Sequence, residues 1–261
     1  MLLGKRRRLK RIMKDGKTVI VPMDHGITKP VAGIENIDDV LRKIDGLADA
    51  VVLHKGVIKN SAYVEDMEMG LILHLSASTA YHLNEKVIVS SVEKAIELGA
   101  DAVSVHVNVG SESEAEQIRD AGIISELCDS FGLPMLAMMY PRGHGIEVNT
   151  ETVKHAARVG YELGADIIKT CYTGSTESFA EVVEYVSVPV VVAGGEKKSE
   201  AELIEDVRNA MLAGAAGVAI GRNVFQHSNP ASIVKALKRV IHSSKPRGEI
   251  YEGNLVAGGR R

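Results

Sequence analysis

Tryptophan is absent from the 261 residues and aromatic side chains make up only 4% of them, so no core can be built around large rings. The 45% of hydrophobic residues are instead mostly Val, Ile, Leu and Ala. Small and β-branched side chains of this kind suit a parallel sheet covered by helices. Cysteine is scarce too. Cys128 and Cys171 are too few for a disulfide framework, and without a signal peptide they indicate a reducing, cytoplasmic setting. Cys171 falls in a buried-strand pattern and Cys128 in a helical one, so both read as inert core thiols. No apolar run approaches the roughly 20 residues needed to span a bilayer, which argues against a membrane role. Nor does a Gly-x-Gly-x-x-Gly follow the first strand pattern, so a dinucleotide-binding open sheet is the weaker architecture and no cofactor is expected.

What the chain does have is a recurring phrase. It reads Gly46-Leu-Ala-Asp-Ala-Val-Val-Leu-His54, Gly99-Ala-Asp-Ala-Val-Ser-Val-His106, Gly164-Ala-Asp-Ile-Ile-Lys169 and Gly214-Ala-Ala-Gly-Val-Ala-Ile-Gly221. Each follows an amphipathic helical segment. Gly ends the helix, a small residue turns the chain and an apolar strand begins. Strands are expected near 18–23, 50–54, 71–75, 101–107, 134–140, 166–171, 189–193 and 217–221. Helices are expected near 35–46, 91–98, 113–130, 150–163, 176–186, 199–213 and 230–242, with the connection at 57–70 undefined. Eight such units in this length predict an α/β fold, a (β/α)8 TIM barrel forming one domain over residues 1–261. Residues 244–261 read as a loose, Gly-rich tail.

The net charge of −3 is uneven. Of the 31 Lys and Arg residues, seven lie in residues 1–14, which hold no acid, leaving 24 positive against 34 negative charges, or −10, elsewhere. A basic arm could touch nucleic acid, but the acidic body and few aromatics speak against it. Residues 1–17 are better read as a basic arm or helix whose Leu2, Leu3, Leu9, Ile12 and Met13 lie over the barrel bottom. Either the arm folds on its own barrel, or it meets the acidic surface of a neighbouring subunit in a homo-oligomer.

In such a barrel, function collects where strands end. The strand ends here carry Asp24-His25-Gly26, His54-Lys55, His74, His106, Tyr140-Pro141-Arg142, Lys169, Gly194-Gly195 and Gly221-Arg222. Lys169 sits in an apolar run. A buried ammonium without a partner tends to lose its proton, and a neutral amine at a strand end is what a Schiff-base nucleophile needs. A lysine that snorkels or pairs with a carboxylate is the alternative reading. Gly194, Gly195, Gly221 and Arg222 on the last two strands form a candidate phosphate site, at which a short helix starting at Asn223 could point its N-terminus. Asp24 could hold an iminium or shuttle a proton, and Tyr140 could exchange one with a reacting hydroxyl. Five histidines (His25, His54, His74, His106, His144) leave open a zinc-dependent aldolase, although their spacing forms no compact ligand motif.

Taken in order, Val-Pro-Met-Asp24-His-Gly, Met-Tyr140-Pro-Arg-Gly, Ile-Ile-Lys169-Thr-x-Tyr-Thr-Gly, Ala-Gly194-Gly195 and Ile-Gly221-Arg222-Asn-x-Phe-Gln resemble the archaeal-type class I aldolases of the DhnA family. The likeness runs from about Thr18 to His242. It implies Lys169 as the Schiff-base residue, Tyr140 as proton donor and Asp24 as proton acceptor. It also implies substrate contacts from Asp24, His25, Gly26, Ile27, Thr28, Tyr140, Pro141, Arg142, Lys169, Gly194, Gly195, Gly221 and Arg222. No metal and no cofactor are implied; the partners are a phosphorylated keto sugar and an aldehyde. The assembly implied is a homo-oligomer, a decamer of two five-membered rings.

Bisphosphate aldolases of the family carry a Trp two residues before the tyrosine, where Met138 stands here. The chain therefore resembles more the branch that performs a transaldol reaction. That branch cleaves 6-deoxy-5-ketofructose 1-phosphate, releases hydroxypyruvaldehyde phosphate and passes the enamine to L-aspartate semialdehyde. The reaction begins a route to 3-dehydroquinate and the aromatic amino acids. A class I fructose-bisphosphate aldolase is the alternative, and a barrel that binds a sugar phosphate without turnover is a remoter one. Glu196 stands where relatives have Pro, and Ser175 where they have Asp.

Overall fold

Strands β1 (Thr18–Pro22), β2 (Ala50–Leu53), β3 (Gly70–His74), β4 (Ala102–Val109), β5 (Met135–Pro141), β6 (Ile167–Thr170), β7 (Val190–Ala193) and β8 (Gly217–Ala219) run parallel, each beside its neighbours in sequence. β8 returns to β1 in the register Thr18↔Gly217 and closes the barrel. This is the expected (β/α)8 architecture, in a computed structural model that describes residues 2–243. The tail at 244–261 lies outside the described residues.

A helical layer surrounds the barrel: α1 (Leu3–Ile12), α2 (Ile37–Ile44), α3 (Lys55–Asn60), α4 (Val92–Glu97), α5 (Glu114–Phe131), α6 (Thr150–Glu162), α7 (Thr176–Glu184), α8 (Glu200–Leu212), α9 (Arg222–Phe225) and α10 (Pro230–Ser243). The undefined 57–70 connection consists of the end of α3 and a short 3-10 turn, Val64–Asp66, both too brief to show a helical period. An antiparallel hairpin, Ser76–Ala77 with Val87–Ile88, follows β3 and was not expected. Its strands are two residues long, below the length at which alternation can be read. Ser175 accepts the amide of Ser178 and so caps α7, the task that an Asp performs equally well.

Alternation along the strands separates two cores. Residues such as Ile20, Val52, Ile72, Leu136, Ile167 and Val191 fill the barrel, while their out-of-phase neighbours Val51, Leu73, Met139 and Ile168 pack under the helices. The repeated phrase has a structural purpose at the barrel bottom. Asp49 accepts the amide of Val19, Asp101 that of Leu71 and Asp166 that of Met135, at 2.8–3.0 Å. Each aspartate thus holds the start of the preceding strand against its own.

The basic arm folds onto these same aspartates. Lys5 pairs with Asp166 and Asp129, Arg11 with Asp101 and Lys14 with Asp49. Ile12 and Met13 are buried beneath the barrel core. Leu2 and Leu3, expected to join them, are instead exposed. The inward stripe of α1 runs Lys5, Leu9, Ile12; Leu3 is off it and Leu2 precedes the first turn. Cys128 is buried, as expected. Cys171 is not: pairing ends at Thr170, and the alternation Ile167, Lys169, Cys171 turns it half-buried into the mouth. No described helix is long and apolar enough to cross a membrane.

Candidate active site

The inward phase of several strands turns polar towards the carboxyl end: Leu136 and Met138 give way to Tyr140 and Arg142, Ile72 to His74, Ile167 to Lys169. These side chains line a cavity of about 560 Å³ at the barrel mouth. Lys169, 7% exposed, lies beside Met138 in the β5–β6 register, its Nζ 3.9 Å from the Met138 Sδ. Burial draws the amine down to about 8, although Asp24 pulls the other way. An amine so lowered supplies free base far more readily than an ordinary lysine.

Asp24 opens a 3-10 turn, Asp24–Ile27, directly beyond β1. Its Oδ2 lies 3.7 Å from His74 Nε2 and its Oδ1 3.7 Å from His25 Nδ1. Burial alone would favour the neutral acid. At acid pH, where the imidazoles carry a proton, the fields of His74, His25 and Lys169 outweigh it and hold the carboxyl well below the usual range, so Asp24 is already ionised when the pH reaches neutral. Burial also keeps the imidazoles neutral: His74 falls to about 4 and His106 far below its ordinary value. His74 Nδ1 meets Ser104 Oγ at 2.8 Å, and His106 Nε2 meets Asn108 Oδ1 at 2.8 Å. His25, His54, His74 and His106 therefore wall the cavity, while His144 is exposed outside it. Among the described residues no three His, Cys, Asp or Glu side chains are placed to hold a metal ion.

Tyr140 is buried, and burial pushes its phenol well above the ordinary value, so it keeps its proton. Its ring centroid lies 5.0 Å from that of His106, and the Arg142 guanidinium lies over the ring, 4.4 Å from its centroid.

Across the mouth, Arg222 donates to the carbonyl of Gly195 at 2.6 Å. Asn223, buried behind it, donates to the carbonyls of Gly194 and Glu196 and accepts the Lys198 amide, so one side chain fixes the loop after β7. Gly195 has φ +62°, a left-handed conformation natural to glycine. A Cβ on Gly221 would lie 2.4 Å from the Pro22 carbonyl. Glu196 is exposed on this loop.

Of the residues named from sequence, Asp24, His25, Ile27, Thr28, Tyr140, Arg142, Lys169, Gly194, Gly195, Gly221 and Arg222 line the one cavity. Two do not. Gly26 faces a neighbouring apolar groove, and Pro141 is out of phase with Tyr140 and Arg142. Sequence reasoning missed the loop-fixing role of Asn223 and the cavity lysine Lys86. Asn223 was visible only as a helix start, and Lys86 lies in the unexpected hairpin.

A barrel with a buried lysine of lowered pKa among an ionised carboxylate and a protonated phenol is built as an aldolase. The family model described as DeoC/LacD family aldolase matches residues 18–227, and the chain belongs to that family. It is 59% identical to 2-amino-3,7-dideoxy-D-threo-hept-6-ulosonate synthase 1 of Archaeoglobus fulgidus, over 98% of this chain and 99% of the relative. It is 44% identical to 2-amino-4,5-dihydroxy-6-oxo-7-(phosphonooxy)heptanoate synthase of Streptomyces griseus, over 88% of this chain and 86% of the relative. An archaeal fructose-1,6-bisphosphate aldolase, solved with its catalytic Lys covalently bound to the carbinolamine intermediate of the substrate, superposes with a TM-score of 0.84. Identity is 32%, and the match covers 92% of this chain and all of that one.

Proposed function

We propose that the chain is a Schiff-base transaldolase with 2-amino-3,7-dideoxy-D-threo-hept-6-ulosonate synthase activity. It would join a fragment of 6-deoxy-5-ketofructose 1-phosphate to L-aspartate semialdehyde on the way to aromatic amino acids. The observation that carries this reading is Lys169, buried in the barrel with its amine drawn down to about 8, in a chain so similar to the Archaeoglobus synthase.

The free amine of Lys169 attacks the keto carbon and water leaves, giving an iminium. Ionised Asp24 faces that cation and accepts the proton of the reacting hydroxyl as the carbon–carbon bond breaks. The phosphorylated aldehyde departs and the electron pair stays on the lysine as an enamine. The enamine carbon then bonds to the aldehyde carbon of L-aspartate semialdehyde, whose oxygen takes a proton from Tyr140. Asp24 then returns the proton it took in cleavage to the Tyr140 phenolate, so both groups regain their starting states, and water releases Lys169. No oxidant or reductant is needed.

The test is incubation with both substrates, followed by mass spectrometry of the product. Formation of the amino-dideoxyheptulosonate is expected, and borohydride added with the keto sugar phosphate alone should fix its fragment to the peptide that contains Lys169. Cleavage of fructose 1,6-bisphosphate without any transfer to L-aspartate semialdehyde would replace this reading with the bisphosphate aldolase.

A further inference from the structure

Arg222 and the Gly194–Gly195 loop occupy the β7–β8 side of the mouth. On the opposite arc, centred on β4, a second pair of cations lines the same cavity: Lys86 from the hairpin after β3, and Arg142 from the end of β5. The contacts of the two are a hydroxyl and a ring face rather than a carboxylate. Lys86 Nζ donates to Ser78 Oγ at 2.6 Å, and Arg142 lies over Tyr140. Burial, and then the field of Arg142, bring the Lys86 ammonium down to about 8. Two cations facing one cavity repel each other until an anion arrives between them.

The products named for the two relatives indicate which anion. Both carry a 2-amino carboxylate at C1, and they differ at C7, which is deoxy in one and phosphonooxy in the other. In each, the oxo carbon C6 is where a catalytic lysine attaches, and the C4 hydroxyl is the former aldehyde oxygen. In this chain Tyr140 would protonate that oxygen. The carboxylate therefore lies three carbons further from Lys169, beyond Tyr140. Arg142, just past the end of β5, is the next residue in the inward phase of Tyr140, and Lys86 shares its part of the cavity. The aldehyde that leaves carries its phosphate at a comparable distance from its own aldehyde carbon.

Resting on the transaldolase reading, we propose that Lys86 and Arg142 form the subsite for the terminal anion of the aldehyde partner. It receives the carboxylate of L-aspartate semialdehyde on entry, and holds the phosphate of the departing aldehyde before that.

The experiment supplies hydroxyacetone as an unphosphorylated donor and compares three acceptors: L-aspartate semialdehyde, glyceraldehyde 3-phosphate and uncharged propanal. Lys86→Met should lower kcat/KM for the anionic aldehydes at least tenfold relative to propanal, mainly through KM, and Lys86→Arg should restore most of it. Ser78→Ala, which removes only the tether within the hairpin, should keep the wild-type ratio. An equal loss for all three acceptors in Lys86→Met, reproduced by Ser78→Ala, would overturn the subsite and leave Lys86 as a hairpin support. If the wild type uses glyceraldehyde 3-phosphate but rejects L-aspartate semialdehyde, the transaldolase reading falls. The ratio for glyceraldehyde 3-phosphate against propanal in Lys86→Met then still decides the subsite.

Discussion

Lys5 Nζ lies 2.8 Å from Asp166 Oδ2, three residues before Lys169 in sequence and at the opposite end of the same strand. The arm that carries Lys5 is therefore part of the barrel whose mouth it never approaches. Both side chains are almost wholly buried, and removing one partner of such a pair leaves an uncompensated charge. Lys5→Ala is expected to lower unfolding stability by about 3–5 kcal/mol. Asp129→Ala, whose carboxylate is mostly exposed, should cost under about 1 kcal/mol. Urea unfolding measures both. Arg11 and Lys14 also pair within the chain, so Arg11→Ala should leave particle size by light scattering at the wild-type value. Smaller particles would mean that the arm also serves an interface between copies.

The pH dependence follows from Lys169. Only the free amine attacks, so the rate of imine formation should rise tenfold per pH unit below about 8 and level off above it. Asp24 raises the amine's pKa, so Asp24→Asn should move that midpoint to lower pH, besides slowing proton transfer. Stability carries the same sign. The folded amine titrates near 8 and an unfolded lysine near 10.5, so between those values the unfolded chain binds more protons and stability rises with pH. Lys169→Met should flatten that rise in unfolding free energy between pH 8 and 10.5. A midpoint at the ordinary lysine value would refute the desolvated-amine account.

How far the sequence could be read depended on periodicity. The repeated Gly-x-Asp phrase fixed helix ends and strand starts, and the period-2 inward phase of β3, β5 and β6 led directly to His74, Tyr140 and Lys169. Lys169 was legible because a cation stood in an apolar strand. Lys86 was not, because Lys-Val-Ile in a two-residue strand looks like any edge of a loop. Leu2 and Leu3 misled because hydrophobicity alone does not give the phase of a helix; the buried stripe passes through charged Lys5, whose partners lie 124 and 161 positions away. Asn223 read as a helix start because its carbonyl partners, Gly194 and Glu196, are brought to it by barrel closure.

Tyr140 and Lys169 should separate kinetically. The phenol keeps its proton because it is buried, and in the proposed mechanism it acts on the aldehyde oxygen rather than on imine formation. Tyr140→Phe should therefore retain borohydride-dependent labelling of Lys169 while losing about 10²–10⁴-fold in turnover, the usual contribution of a positioned acid or base. Lys169→Arg should lose both, since a guanidinium cannot form the imine. Loss of labelling in Tyr140→Phe would mean that the phenol is needed before the carbon–carbon step.

Asn223 provides a test of the loop that is independent of the lysine. It is buried, touches neither Lys169 nor Tyr140 by any hydrogen bond, and holds the carbonyls of Gly194 and Glu196 together with the amide of Lys198. Asn223→Ala removes all three bonds and leaves buried backbone groups to find water, so the loop after β7 should lose its fixed shape. Asn223→Asp keeps the acceptor for Lys198 but turns the donor towards two carbonyls into a carboxylate oxygen, which repels them. Both variants should raise KM at least tenfold for dihydroxyacetone phosphate, whose phosphate stands next to the keto carbon that Lys169 attacks. The pH midpoint of imine formation with unphosphorylated hydroxyacetone should stay near 8, because burial and the field of Asp24, which dominate it, are untouched. A shifted midpoint would show that the loop supports the lysine; an unchanged KM would show that the loop does not hold a phosphate beside the keto carbon.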